Sequence, residues 1–141
     1  MRLLLVCLLA LLPLMAHAEN LGTLSANEVD PNFLPDPFGT GNPSDPNSVT
    51  NELGPYGNPY RPSSATNFEA ITAPRLSDQE GNDRGRLSMN LSDFDSISTS
   101  FDRYGIPYSS DSILHRYGEG NPYRSDSPNN PFGRGWRIEG H

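Results

Sequence analysis

Hydrophobic positions are crowded into one stretch of this chain and thinly scattered everywhere else. Leu3 to Met15 are almost all apolar, with Arg2 before them and Ala16-His17-Ala18 after. A positive start, a short apolar core and small residues at the inspected positions describe a secretory signal peptide at 1–18, cleaved between Ala18 and Glu19. The apolar core is shorter than the roughly 20 residues a membrane-crossing helix needs. No membrane span is therefore expected after cleavage, and a secreted or periplasmic location follows.

Beyond Ala18 neither the helical period of 3.6 nor the strand period of two persists for long. Residues 19–31 are polar and aperiodic, which predicts a disordered leader. The exception is 74–89. There Arg75-Leu76-Ser77-Asp78 and Asp83-Arg84-Gly85-Arg86-Leu87-Ser88 flank Gln79-Glu80-Gly81-Asn82, a sequence suited to a tight turn. This predicts one short β-hairpin with Leu76 and Leu87 on the same side. Ser110 to Arg116 is the best candidate for a single helical turn, and no longer helix is expected outside the signal peptide.

What recurs is a phrase rather than a period of hydrophobicity. Asp95-Ser96, Asp111-Ser112 and Asp126-Ser127 are each followed, six positions after the Asp, by an aromatic: Phe101, Tyr117 and Phe132. Aromatic-Gly and Pro-Tyr pairs lie between these marks, and the unit is 15 to 16 residues long. A worn copy runs over 32–66, where Phe38-Gly39-Thr40-Gly41-Asn42-Pro43 matches Tyr117-Gly118-Glu119-Gly120-Asn121-Pro122. Tyr56-Gly57-Asn58-Pro59-Tyr60 likewise matches Tyr104-Gly105-Ile106-Pro107-Tyr108. The chain thus divides into a signal (1–18), a leader (19–31), degenerate repeats (32–66), a hairpin (74–89) and regular repeats (95–137). Repetition of this kind points to a quasi-linear array. Asp95, Ser96, Asp111, Ser112, Asp126 and Ser127 are the predicted turn-capping residues, since both side-chain types accept from nearby backbone amides. In this picture the aromatic of each unit is its anchor.

Composition limits how such an array can be held. The chain after Ala18 has no cysteine, and Leu, Ile, Val and Phe make up only 21 of its 123 residues, while Pro, Gly, Ser and Asn make up 55. So little apolar surface rules out a large conventional core against about 1–2 kcal/mol of backbone entropy per ordered residue. The fold class expected is a mostly irregular, turn-rich repeat protein with one hairpin and little helix. A largely disordered, low-complexity chain is the competing description. The constant six-residue offset favours the packed array, because loose composition does not hold a spacing.

The order Ala73-Pro74-Arg75-Leu76-Ser77-Asp78, Gly81, Arg84-Gly85, Leu87-Ser88 and Asp95-Ser96-Ile97-Ser98 resembles a family of uncharacterised secreted bacterial proteins. These carry Tyr-Gly-Ser-Pro-Tyr-Ser-Pro-Asp-Ser and Asn-Asn-Pro-Tyr-Gly repeats. Tyr104 to Ser112, Pro128 to Gly133 and Gly135 to Gly140 fit that wording, with departures at Leu53-Gly54, Ser63-Ser64 and Asp102. The resemblance implies an envelope or extracellular location and no activity.

Charge and candidate chemistry narrow the function classes. Nine arginines stand against 17 acidic residues after Ala18, a net charge of −8 with no lysine, so nucleic acid is not an expected partner. The two histidines of this part, His115 and His141, have no scaffold predicted to hold a catalytic partner. No enzyme activity and no cofactor are expected. Asp93-Phe94-Asp95 and the group Asp78, Glu80, Asn82, Asp83 offer oxygen ligands without the calcium-loop spacing. Asn90-Leu91-Ser92 has the N-glycosylation pattern. The most suggestive set is aromatic: Tyr56, Tyr60, Tyr104, Tyr108, Tyr117, Tyr123 and Trp136 are candidate interaction residues for an envelope protein or glycan. The expectation is a secreted, non-enzymatic interaction or structural component of the envelope, with a calcium- or carbohydrate-binding surface module as the alternative.

Overall fold

The computed structural model describes residues 19–140 apart from 31, 35 and 37, so the expected signal peptide lies outside the described residues. Four strands form one antiparallel sheet: β1 (Glu19–Leu24), β2 (Arg75–Ser77), β3 (Asp83–Arg86) and β4 (Trp136–Gly140). Their order is β1-β4-β2-β3. There is no helix among the described residues. Ser110 to Arg116 is a pair of chained turns instead, closed by Ser112 N to Ser109 O and His115 N to Ser112 O, both 3.1 Å.

β4 is the strand on which the sheet is built. Trp136, Ile138 and Gly140 point inward while Arg137 is exposed and Glu139 half-buried, the alternation of a strand with one covered face. Trp136 and Ile138 are fully buried beside Leu21 of β1 and Leu76 of β2, and Val49, Tyr56 and Ala65 from the first repeat block complete the cluster. Each such aliphatic side chain contributes about 1.5–3 kcal/mol when covered. β2 and β3 pair as a hairpin whose turn is closed by Gly81 N to Asp78 O, with Gly81 at φ +87. Leu76 is buried and Leu87 packs partly buried against the same cluster.

The first six residues of the 19–31 segment expected to be a disordered leader form β1, paired with β4 from Glu19↔Gly140 to Leu24↔Trp136. Its pairing slips between Asn20 and Gly22. That bulge, with Gly22 at φ +115, removes the alternation by which a strand is recognised in sequence.

Outside the sheet the backbone is a ribbon of hydrogen-bonded turns linked end to end every three residues. From Asn27 the carbonyls of 27, 30, 33, 36, 39, 42, 45, 48 and 51 each receive the amide three residues on, at 3.0–3.3 Å. The same rhythm runs from Ile106 to Gly133 at 3.0–3.3 Å. Most corners are capped by their own side chain, which accepts from the amide two residues ahead: Asn42, Asp45, Ser48, Asn51, Asn58, Asn67, Asp93, Ser96, Ser112, Asn121, Ser127 and Asn130 all do so. Two steps are four residues long, Gly54 to Asn58 and Asp102 to Ile106. Five steps of three make a 15-residue unit, and one long step makes it 16.

The ribbon also folds back on itself. Ser48, Ser64 and Ser96 donate their hydroxyls to the carbonyls eight residues earlier, at 2.9, 3.2 and 2.6 Å. The amides of Ala65, Glu119 and Arg134 reach carbonyls nine residues back. The two passes lie so close that a Cβ on Gly41, Gly105 or Gly120 would overlap the carbonyl oxygen of Leu34, Thr99 or Ile113. At those three positions only glycine fits, and small side chains line much of the rest of the contact. Ser48, Ser64, Ser88, Ser96, Ser112 and Ser127 are accordingly buried, and the interior of the array is hydroxyls bonded to backbone. The anchor of each unit is therefore the serine. Phe101, Tyr117 and Phe132, expected as anchors, stand outside at 89, 89 and 93% exposure.

Candidate interaction surface

In the turns cornered by Asn58, His115, Asn121 and Asn130 the corner side chain is half-buried and the residue two positions on faces solvent. In Asn58-Pro59-Tyr60, Asn121-Pro122-Tyr123 and Asn130-Pro131-Phe132 the Asn carboxamide caps the turn and receives the ring residue's own amide at 2.9–3.0 Å. Proline supplies the fixed φ of the second turn position. His115 takes the capping role before Tyr117, its Nδ1 accepting that amide at 3.1 Å, with the two rings edge-to-face at 6.3 Å. The backbone carrying each ring is thus fixed while the ring itself is bare.

Of the seven predicted interaction residues, Tyr60, Tyr108, Tyr117 and Tyr123 are 88–92% exposed. Phe38, Phe101 and Phe132, absent from that set, are equally exposed and belong with them. Tyr56, Tyr104 and Trp136 are buried and offer no face to a partner. The cause is local. Tyr56 and Tyr104 lie within the two four-residue steps, where the extra residue brings the ring inward, and Trp136 opens β4. Burial raises both phenols above their ordinary value, with Glu19 adding to the shift at Tyr56 and Asp83 at Tyr104.

Among the predicted caps, the serines do the capping. Ser96, Ser112 and Ser127 accept the amides of Ser98, Leu114 and Asn129 at 3.0–3.2 Å. The aspartates beside them go elsewhere: Asp111 to Arg84 and Arg103, and Asp126 to Arg124. The candidate glycosylation residue is also committed, since Asn90 donates to the Ala70 carbonyl at 2.9 Å and accepts from Ser92 N.

An ion cluster missed in sequence joins the hairpin to the second repeat block. The Asp78 carboxylate receives Glu80 N and Asn82 N on one oxygen, and Asn82 Nδ2 and Arg84 Nε and Nη2 on the other, at 2.8–3.2 Å. Five donors leave it no oxygen to offer a calcium ion. No group of three or more potential metal-ligating side chains exists among the described residues. Arg84 also faces Glu119 at 3.2 Å and Asp111 at 3.5 Å, and Arg124 faces Glu119 at 3.4 Å.

Burial pushes the Asp78 carboxyl up, but the hydrogen bonds from Asn82, Arg84 and Glu80 outweigh it and leave it below its ordinary value. At Glu119 burial wins over Arg84 and Arg124, and the carboxyl is raised. Its Oε2 is buried with no partner among the described residues. The two groups act on stability with opposite sign. The Glu119 contribution is complete below the ordinary carboxyl value and is lost as pH rises through its raised one. The Asp78 contribution is complete above the ordinary value and is lost as pH falls through its depressed one. The urea midpoint should therefore climb as pH is lowered from neutral into the mildly acidic range, then fall. Glu119→Gln should flatten the first limb and spare the second. A wild-type midpoint that only declines from neutral pH would contradict this assignment.

Comparison with known proteins finds no matching family model, no matching curated protein and no matching solved structure.

Proposed function

We propose that this protein is a secreted, non-enzymatic interaction component of the cell envelope, and that its exposed rings bind glycan chains. The observation that carries the proposal is that seven of the thirteen aromatic residues stand at least 88% exposed, five of them (Phe38, Tyr60, Tyr117, Tyr123 and Phe132) on turns whose backbone is fixed by a side-chain cap. A capped backbone limits what such a turn must lose on binding, and the apolar ring faces, with the hydroxyl tips of the four tyrosines, suit the faces of pyranose rings in wet contacts. Among the described residues none of the seven packs on another, the only ring pair being His115 with Tyr117. Separate rings suit a chain of repeated sugars better than one contiguous protein patch. The Arg2 to Ala18 signal pattern supports export, and no helix among the described residues is long and apolar enough to cross a membrane. A non-enzymatic role accords with His115, whose Nδ1 is engaged in a turn.

Titration of the mature protein with soluble cell-wall glycan fragments, followed by calorimetry and tyrosine fluorescence, tests the proposal. The Tyr117→Ala/Tyr123→Ala pair should weaken binding at least about tenfold, or about 1.4 kcal/mol, with unchanged urea unfolding. Equal affinity in that pair, or capture of an envelope protein with no glycan response, would discard the glycan assignment.

A further inference from the structure

We infer that the cleft between β1, the hairpin turn and the start of β4 receives an acidic sugar residue of such a glycan, its carboxylate held by Arg134. The inference rests on the glycan proposal and adds a charged subsite to it. The cleft has a volume of about 270 Å³ and is lined by residues of polar type, among them Asn20, Asp30, Asn32, Gln79, Arg134 and Arg137, whose stems leave part of its surface apolar. A neighbouring cleft of about 180 Å³ shares Gln79 and Arg134. These volumes fall below the roughly 300–1,000 Å³ of sites that enclose drug-sized ligands, and they suit one sugar ring rather than a longer segment.

Arg134 is set up as an anion ligand by what surrounds its backbone. Its amide donates to Ser125 O at 2.8 Å, and Gln79 Nε2 bonds its carbonyl and that of Gly135 at 3.4 and 3.1 Å. Gly135 follows at φ +66, and a Cβ there would meet the Leu24 carbonyl oxygen. The guanidinium is thus launched from a point pinned by three segments, yet among the described residues it pairs with no carboxylate. Its neighbours are occupied: Arg124 faces Glu119 and Asp126, while Arg137 leans on Glu139 and the Asp78 carbonyl. The one carboxylate in the lining, Asp30, spends an oxygen on Asn32 N at 2.8 Å. A guanidinium fork matches a carboxylate in two parallel bonds. Asn20 Nδ2, the Asn32 carboxamide and Gln79 Oε1 have no partner among the described residues and can serve sugar hydroxyls. In a chain with 17 acidic residues, an unneutralised arginine in a polar cleft selects for a negative ligand.

Calorimetry with tetra-galacturonate, neutral galacto-tetraose and acetate on the full mature chain tests the subsite. The wild type should bind the uronate at least tenfold more tightly than the neutral oligomer. Arg134→Gln should abolish that preference while retaining the neutral affinity, and Arg61→Gln should leave both unchanged. Tyr117→Ala/Tyr123→Ala should weaken both oligomers alike, so the rings and the subsite are read separately. Equal wild-type affinity for the two oligomers, or an undiminished preference in Arg134→Gln, would overturn the subsite and leave the rings standing. Full competition by millimolar acetate would overturn the sugar assignment, and failure of either oligomer to bind would overturn both proposals.

Discussion

Replacing Gly105 with alanine is expected to unfold the second half of the turn ribbon. Its backbone is not in the left-handed region, so conformational strain is not the reason. The added methyl would overlap the Thr99 carbonyl oxygen and press against the rest of that residue's backbone. Backbone has no alternative rotamer to retreat into. The ribbon must open where its two passes touch, next to buried Tyr104 and Ser96. The cost should exceed the about 1–3 kcal/mol usual for overpacking, a large part of a total stability of about 5–15 kcal/mol. Gly81 is the control. Nothing lies within 4 Å of a Cβ there, but φ is +87, so Gly81→Ala should cost only about 1–2 kcal/mol. Urea denaturation of the two variants measures the contrast, and a Gly105 variant as stable as the Gly81 variant would refute the close-packed ribbon.

Arg84→Met should destabilise the protein by about 3–5 kcal/mol, because it leaves Asp78 and Glu119 buried without their shared cation. Methionine keeps an apolar stem in the space the arginine occupied, so loss of charge rather than loss of volume is tested. Adding Asp78→Asn and Glu119→Gln to Arg84→Met should return part of the loss, since no unpaired charge then remains. The measurement is again urea unfolding of the single and triple variants. A single variant within about 1 kcal/mol of wild type would show that the cluster does not bind the hairpin to the second repeat block.

The three-residue rhythm of the turns was not legible in the sequence. Asn, Asp, Ser and His115 all cap turns by the same bond, so no single letter recurs every third position. The spacing nevertheless held the information that separates buried from bare rings. Ser48 to Ser64 and Ser96 to Ser112 span 16 residues, and each contains a long step with a buried tyrosine. Ser112 to Ser127 spans 15 and contains none. Ring context misled: Tyr104-Gly105 and Tyr117-Gly118 look alike, yet one ring is covered and the other bare.

The hairpin was legible because Gln79 to Asn82 carries its turn chemistry locally. β4 alternates in sequence as it does in space, from Trp136 to Gly140, and its signal was present though short. β1 had none, since its bulge breaks the alternation and its partner lies at the other end of the chain. Arg84 could not be read as a hub, because Asp78, Asp111 and Glu119 meet it only after the hairpin and the second block have come together.

The central place of β4 makes the sheet depend on residues 136–140. β4 contributes five residues and bonds both β1 and β2. A chain assembled from its N-terminus forward carries β1 unpaired until β4 has been added, and contacts of such long sequence separation are slow to form. A product that stops short of Trp136 keeps only the β2–β3 pair and leaves Leu21 and Leu76 without their cover. Copies that lack β4 thus expose apolar surface that β4 otherwise covers, which makes them distinguishable to any protease that samples them.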